Sequence, residues 1–274
     1  MNRKGDADIV GVLNCYDMPT GGLCLVDIDK GPIEYTIKAV VRFLDDFLGR
    51  TTIRLRHDGE SAAKSFATAV QAHRTHETQL ESSPRNSSGS LGAVERSNRT
   101  AEGQIRAMRS ATEERLKENL TIDHPIMTCM IRHSAWQIIR FHVQTDGKTP
   151  FERLKRKKYL GDVVEFAEMV YVKDPALKQD KLDDRWLGPL VWLGKTDKSD
   201  EHICVNAEGD ELGFYRSIRR LPEDKRWDKD ALKRISVTPW MPKNKSGRAP
   251  TVWLKYITWQ MVRAYGGSPG CRNC

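Results

Sequence analysis

The order in which apolar periodicity changes between residues 9 and 116 constrains the fold more than any other property of the chain. Ile9 to Tyr16 and Leu23 to Ile28 alternate as strands do, and Pro19-Thr20-Gly21-Gly22 between them is turn chemistry, so the two runs predict a hairpin. Ile33, Ile37, Val40, Val41, Leu44, Phe47 and Leu48 then recur at helical spacing until Gly49 stops the run. Thr52 to His57 returns to alternation, and Asp58-Gly59-Glu60 breaks it. A second helix is expected from Glu60 to about Ala72, with a short segment at Glu77 to Leu80 leading out of it. Residues 82–90 are polar and turn-rich and cannot bury a core. The longest helical pattern comes next, carried by Val94, Ala101, Ile105, Met108, Thr112 and Leu116. Hairpin, helix, strand and helix in that order are the elements of a mixed α/β sheet flanked by helices.

Two acids occupy informative places in this order. Asp58 closes a strand and Glu95 lies in the first turn of a helix, with 36 residues between them. Carboxylates delivered from a strand end and a helix start can share divalent cations, and hard oxygen donors suit Mg²⁺ or Mn²⁺. Glu95, Arg99, Glu102 and Arg106 are spaced by four, three and four residues and line one helix face, which sets a cation one turn beyond Glu95, in reach of a phosphate. The simpler readings are a turn acid for Asp58, an acid complementing the helix dipole for Glu95, and an ordinary helix pair for Arg99.

The segments around these acids resemble a known family, the retroviral and retrotransposon integrases with three catalytic carboxylates. Arg54-Leu55-Arg56-His57-Asp58-Gly59-Glu60 is similar to the family's segment around the second catalytic Asp. Ser90-Leu91-Gly92-Ala93-Val94-Glu95-Arg96-Ser97-Asn98-Arg99-Thr100 is similar to the segment around the catalytic Glu. Asp146-Gly147-Lys148-Thr149-Pro150-Phe151-Glu152-Arg153-Leu154 resembles the segment after the core in copia-type elements. Asp183-Asp184-Arg185-Trp186, Trp192-Leu193-Gly194 and Arg216-Ser217-Ile218-Arg219-Arg220 resemble their small β-rich module. The resemblance implies a ribonuclease H-like core, catalysis by Asp58 and Glu95 as ligands of Mg²⁺ or Mn²⁺, strand transfer on DNA, element ends and target DNA as partners, and a homo-oligomer. The family's first Asp has no counterpart at its usual interval before Asp17, which is the turn residue of Asp17-Met18-Pro19-Thr20-Gly21. Asp6 or Asp8 could stand in, or the start is truncated. Cys271-Arg272-Asn273-Cys274 resembles the first half of a Cys-rich module, so truncation is expected at both ends.

Charge is compatible with a polyanionic partner. Forty-five Lys and Arg against 37 Asp and Glu give a formal net charge of +8. Arg153, Lys155, Arg156, Lys157 and Lys158 form one basic cluster, and Arg216, Arg219 and Arg220 form a second. Either could bind nucleic acid, as could Arg99 and Arg106, or be a solvated face. No stretch approaches the roughly 18 apolar residues of a membrane helix, and residues 1–8 are charged where a signal peptide would be apolar. A nuclear or cytoplasmic protein that is neither secreted nor membrane-bound is expected. Six scattered cysteines do not read as a disulfide framework.

Residues 123–143 read as a further amphipathic helix with Asp123 as its cap, and His124, His133 and His142 as cap or helix-surface residues. Beyond Val163 the apolar runs shorten, at 166–173, 190–193, 202–206 and 211–215, and suggest a small β-barrel-like module with Trp186, Trp192, Phe214 and Tyr215 in its core. The domains expected are a core over 1–145, a basic connector over 146–162, a β-rich module over 163–222 and a tail over 223–274 with a Pro-containing linker. Two other functions fit parts of this pattern. A catalytically dead fragment would keep salt-sensitive nucleic-acid binding. A ribonuclease H-type nuclease would prefer RNA·DNA hybrids, but lacks the segments after residue 145.

Overall fold

In the computed structural model the described residues are 10–28, 34–57, 60–83, 92–173, 186–246, 254–256 and 261–265, with the backbone alone described at 10, 27, 28 and from 254 onward. They form a mixed α/β structure of two compact units. The first comprises Met1–Gln104, Ser134–Tyr159 and Trp253–Cys274, and the second Ile105–His133 and Leu160–Val252.

The first unit opens with the expected hairpin. Strand β1 (Val10–Asp17) pairs antiparallel with β2 (Gly22–Ile28) from Gly11↔Ile28 to Asp17↔Gly22. Asp17 closes the turn: its Oδ2 accepts the backbone N–H of Thr20 at 3.1 Å and the Thr20 hydroxyl at 2.5 Å, and Arg50 pairs with the same oxygen at 2.9 Å. Helix α1 (Glu34–Arg42) continues as one π turn over Phe43–Phe47, and Gly49 comes after it at φ +65°, where a Cβ would be strained. Strand β3 (Ile53–His57), helix α2 (Ser61–His73) and strand β4 (Thr78–Ser82) complete the pattern read from the sequence, with β3 and β4 parallel. Leu13, Cys15, Ile37, Val40, Leu44, Ile53, Leu55, Phe66 and Val70 share one apolar cluster. Odd-numbered positions of β1 and β3 therefore face α1 and α2, and each fully buried Leu, Val or Phe contributes about 1.5–3 kcal/mol. Arg74 fastens the end of α2, donating to Asp45 Oδ1 at 2.7 Å, the Arg50 carbonyl at 2.7 Å and Thr78 Oγ1 at 2.6 Å.

Two strands of this sheet come from the far end of the sequence. Strand β11 (Met261–Tyr265) lies between β1 and β3, parallel to the first and antiparallel to the second, and β10 (Leu254–Tyr256) pairs with the start of β1. The sheet order is β10-β1-β11-β3-β4, with β2 also paired to β1. The sequence reading had placed both stretches in the tail.

The long helix α3 (Gly92–Leu116) and helix α4 (Ile126–Phe141) each contribute residues to both units. His124, rather than Asp123, caps α4, its Nδ1 accepting the Ile126 N–H at 3.2 Å. His133 is not a surface residue: it is buried and its ring stacks on Phe166 at 5.9 Å and meets Trp192 edge-on at 4.9 Å. Helix α5 (Pro150–Lys155) begins with a capping box in which Thr149 and Glu152 exchange hydrogen bonds.

In the second unit β5 (Met169–Lys173), β6 (Trp186–Lys195), β7 (His202–Val205), β8 (Leu212–Tyr215) and β9 (Ile218–Arg220) form an antiparallel sheet in the order β8-β7-β6-β5-β9. The expected barrel does not close among the described residues, because the edge strands β8 and β9 do not pair with one another. Trp192 is buried in this unit, but Phe214 is 53% exposed and is not a core residue. Its neighbours Ile203 and Leu212 carry the burial instead. Glu168 is fully buried and accepts hydrogen bonds from Nε and Nη2 of Arg220, each at 2.7 Å, which ties β9 to the start of β5. The tail is more than a linker: it holds helix α6 (Lys229–Arg234), with Asp228 accepting from the N–H groups of Asp230 and Ala231, and Leu232, Ile235 and Val237 are buried.

Candidate functional site

Strand β3 ends at buried His57, whose carbonyl accepts the Ser83 N–H at 2.9 Å. Its register across the sheet fixes what lies level with that end. Arg56 is opposite Arg263, and Arg263 is opposite Tyr16; Leu55 is likewise level with Asp17 through Ala264. Residues directly opposite share a face, so Arg54 and Arg56 lie on the face of Asn14 and Tyr16, away from the α1 and α2 core. On that face Arg56 pairs with Glu81 of β4 at 2.6 Å.

Helix α3 is held to the same face. Asn14, 1% exposed at the centre of β1, donates its carboxamide to Ser97 Oγ at 2.9 Å and Asn98 Oδ1 at 2.7 Å. Glu95 sits one turn before Asn98, half-buried in the first turn of α3, where a carboxylate is favoured by the helix dipole. Among the described residues no side-chain hydrogen bond or ion pair joins Glu95 to Arg99, which is exposed. Glu102 and Arg106 complete the spacing along α3, Arg106 belonging to the second unit.

Asp58, the residue after His57, lies outside the described residues, as do Asp6, Asp8, Cys271 and Cys274. Among the described residues no group of three or more His, Cys, Asp or Glu could hold a metal ion. No helix of the described residues is long and apolar enough to cross a membrane.

The basic run after α5 divides into tied and untied cations. Arg153 donates to Asp146 and, at 3.1 Å, to the carbonyl of Thr20, and its hydrogen bond holds the Asp146 carboxyl below the usual carboxylate range. Lys155 donates to the Phe47 carbonyl at 3.2 Å and its Nζ lies 5.3 Å from that ring. Arg156, in the left-handed region at φ +57°, turns the chain out of the helix; its backbone N–H donates to the Glu152 carbonyl at 2.9 Å, and it and Lys157 are exposed. Lys158 is also exposed. In the second cluster Arg220 is occupied by Glu168, whereas Arg219 is exposed and Arg216 reaches Glu201 only at 3.9 Å.

Sequence reasoning missed two features of this region. Asn14 carried no motif, since a polar residue in an apolar strand is a signal only once its partner is known. The aromatic group of Trp136, Phe141, Phe151 and Tyr159 was also missed, although Trp136, Phe141 and Tyr159 are recognisable in the sequence as large rings flanking the basic run. Tyr159 meets Trp136, Phe141 and Phe151 edge-on at 5.2, 5.7 and 5.5 Å, and the Arg140 guanidinium lies 4.1 Å from the Trp136 ring centre.

No family model matches the chain, and no curated protein matches it. Among solved structures, the chain is similar to one in the cryo-electron-microscopy structure of the simian T-cell lymphotropic virus intasome in complex with PP2A regulatory subunit B56 gamma, at 17% identity and a TM-score of 0.40, covering 78% of this chain and 77% of that one.

Proposed function

We propose that the chain is an integrase-like, nucleic-acid-binding protein of retrotransposon type, with a ribonuclease H-like core in its first unit and Asp58 and Glu95 as the acids of a divalent-metal centre. The observation that carries this reading is the register of β3 against β1 together with the Asn14 bonds to α3. Arg56 is level with Tyr16 across β11, so β3, which ends at the residue before Asp58 in the sequence, ends beside β1 in the sheet that Asn14 ties to α3. Neighbouring strands are about 4.8 Å apart, which makes the step from β3 to β1 about 10 Å. Glu95 approaches from the helix side, one turn from the atoms that Asn14 holds. Glu95 is supplied, half-buried, by the first turn of α3.

The donor set, carboxylate oxygens alone, fits Mg²⁺ or Mn²⁺ rather than a softer ion. Such ions, when bound, activate an attacking oxygen and stabilise the leaving oxygen of a phosphodiester. Asp58 and Glu95 would hold them, Arg99 would take a phosphate one turn along α3, and Arg156, Lys157 and Lys158 would track the DNA backbone. Integrases of this family act as homo-oligomers on element ends and target DNA, and the same partners are proposed here. With two acids in place of three, the isolated chain is expected to be inactive in strand transfer.

Mn²⁺ titration followed by electron paramagnetic resonance tests the centre. Asp58→Asn and Glu95→Gln should each weaken binding about ten-fold or more while leaving DNA affinity intact. Unchanged Mn²⁺ affinity in both variants would remove the metal centre and leave a nucleic-acid-binding protein alone. Metal-dependent strand transfer by the wild-type chain, lost in Glu95→Gln, would contradict the expected inactivity and assign the third acid to Asp6 or Asp8.

A further inference from the structure

We infer that the surface where Phe141 borders the basic run is a binding site for single-stranded nucleic acid, one that prefers unpaired bases to duplex. The inference rests on the nucleic-acid reading above and names its substrate class.

Three observations meet at this place. Phe141 ends α4 with 50% of its surface exposed, and Val143 two residues on is 59% exposed, an unusual apolar outcrop for a helix terminus. The Phe141 ring is held rather than loose: Trp136 meets it at 6.0 Å and 63°, and Tyr159 at 5.7 Å and 81°. Tyr159 directly succeeds Lys158, so the same ring contact that steadies Phe141 pins the end of the Arg156-Lys157-Lys158 run beside it. Arg153 and Lys155 are spent on the fold, which leaves three exposed cations on the segment that runs into Tyr159.

A supported aromatic face beside exposed cations suits a strand whose bases are splayed from its phosphates. Every base offers a flat face to stack, and the phosphates on either side find positive charge. A duplex keeps its bases stacked internally, so it can use the cations but gains nothing from the ring. Charge alone would give equal treatment of both forms at equal phosphate density, and the ring breaks that equality. An apolar protein partner would use Phe141 and Val143 but has no need of three adjacent cations.

The test is fluorescence anisotropy of the full chain with a labelled oligo-dT of about twelve nucleotides, in the size range of single-stranded binding sites, and with a mixed-sequence duplex of the same length. Phe141→Ala should weaken oligo-dT binding roughly five- to a hundred-fold and leave duplex binding unchanged. Phe141→Leu, which keeps an apolar side chain against Trp136 and Tyr159 without a stacking face, should behave like Phe141→Ala. Lys157→Glu with Lys158→Glu should weaken both probes. If the Phe141 variants lower both affinities alike, or neither, the single-strand preference is overturned and the charge-based reading survives. If neither probe binds, or the Lys157 and Lys158 changes alter nothing, the nucleic-acid reading falls and this inference falls with it.

Discussion

Asn14 of β1 donates its carboxamide to Oδ1 of Asn98 in α3 at 2.7 Å, and both residues are buried. This bond and its companion to Ser97 tie the sheet to the helix that carries Glu95. Asn14→Leu would keep the volume and strand Ser97 and Asn98 without their partner. Each orphaned buried group costs about 1–3 kcal/mol, so a loss of about 2 kcal/mol or more is expected in urea unfolding. Mn²⁺ affinity should fall in parallel, because Glu95 loses its anchorage.

Arg219 and Arg220 are neighbours with opposite duties. Arg220 holds the fully buried carboxylate of Glu168, a hydrogen bond that also raises the Arg220 pKa. Arg220→Ala leaves that carboxylate with Arg226 at 3.6 Å as its remaining cation. The expected cost is about 2 kcal/mol, below that of breaking a wholly buried pair because Arg220 is partly solvated. Arg219→Ala should change stability by no more than about 0.5 kcal/mol. Thermal unfolding of the two variants side by side checks the division.

His202 gives the second unit an acid sensitivity. Its Nδ1 accepts the Trp192 Nε1–H at 3.0 Å, and burial, with Lys195 nearby, lowers its pKa to about 4. The folded state thus binds its proton less readily than the unfolded chain, whose histidine titrates near about 6.5. The stability tied to the neutral ring is whole above that value and is lost as pH falls towards 4. Denaturant midpoints at about pH 7, 5.5 and 4.5 should decline, and His202→Asn, which offers an acceptor without a proton to gain, should flatten the decline.

Gly209 sits at φ +78°, and a Cβ there would lie 2.2 Å from the Arg234 carbonyl oxygen. Its own carbonyl accepts from Ser236 N at 2.8 Å and Ser236 Oγ at 3.1 Å, so the backbone cannot withdraw cheaply. Gly209→Ala should cost at least about 2 kcal/mol by calorimetry.

The elements held together by local pattern were legible. The hairpin, α1, β3, α2 and α3 come from alternation, helical spacing and the Gly49 stop, and the structure reproduces them within a few residues. Helix α5 was signalled by Thr149-Pro150-Phe151-Glu152, a capping-box pattern hidden inside a segment read for its charge. Barrel closure was not legible, because it depends on whether β8 and β9 meet, and no residue of either strand encodes that. The place of β11 was equally silent: its partners β1 and β3 are some 200 or more residues away in sequence. For the site, the residue types of Asp58 and Glu95 were readable, whereas the bond that positions Glu95 runs from a strand position with no distinguishing neighbour.

The placing of β11 also has a bearing on synthesis. At roughly 5–20 residues per second a ribosome needs from about ten seconds to the better part of a minute to travel from β3 to Met261. Through that interval β1 and β3 present two facing rows of unanswered amides, a template for any passing strand. A holdase that shields that gap, or a slow approach to the native state on refolding, would be the cellular and kinetic marks of a sheet whose keystone is delivered late.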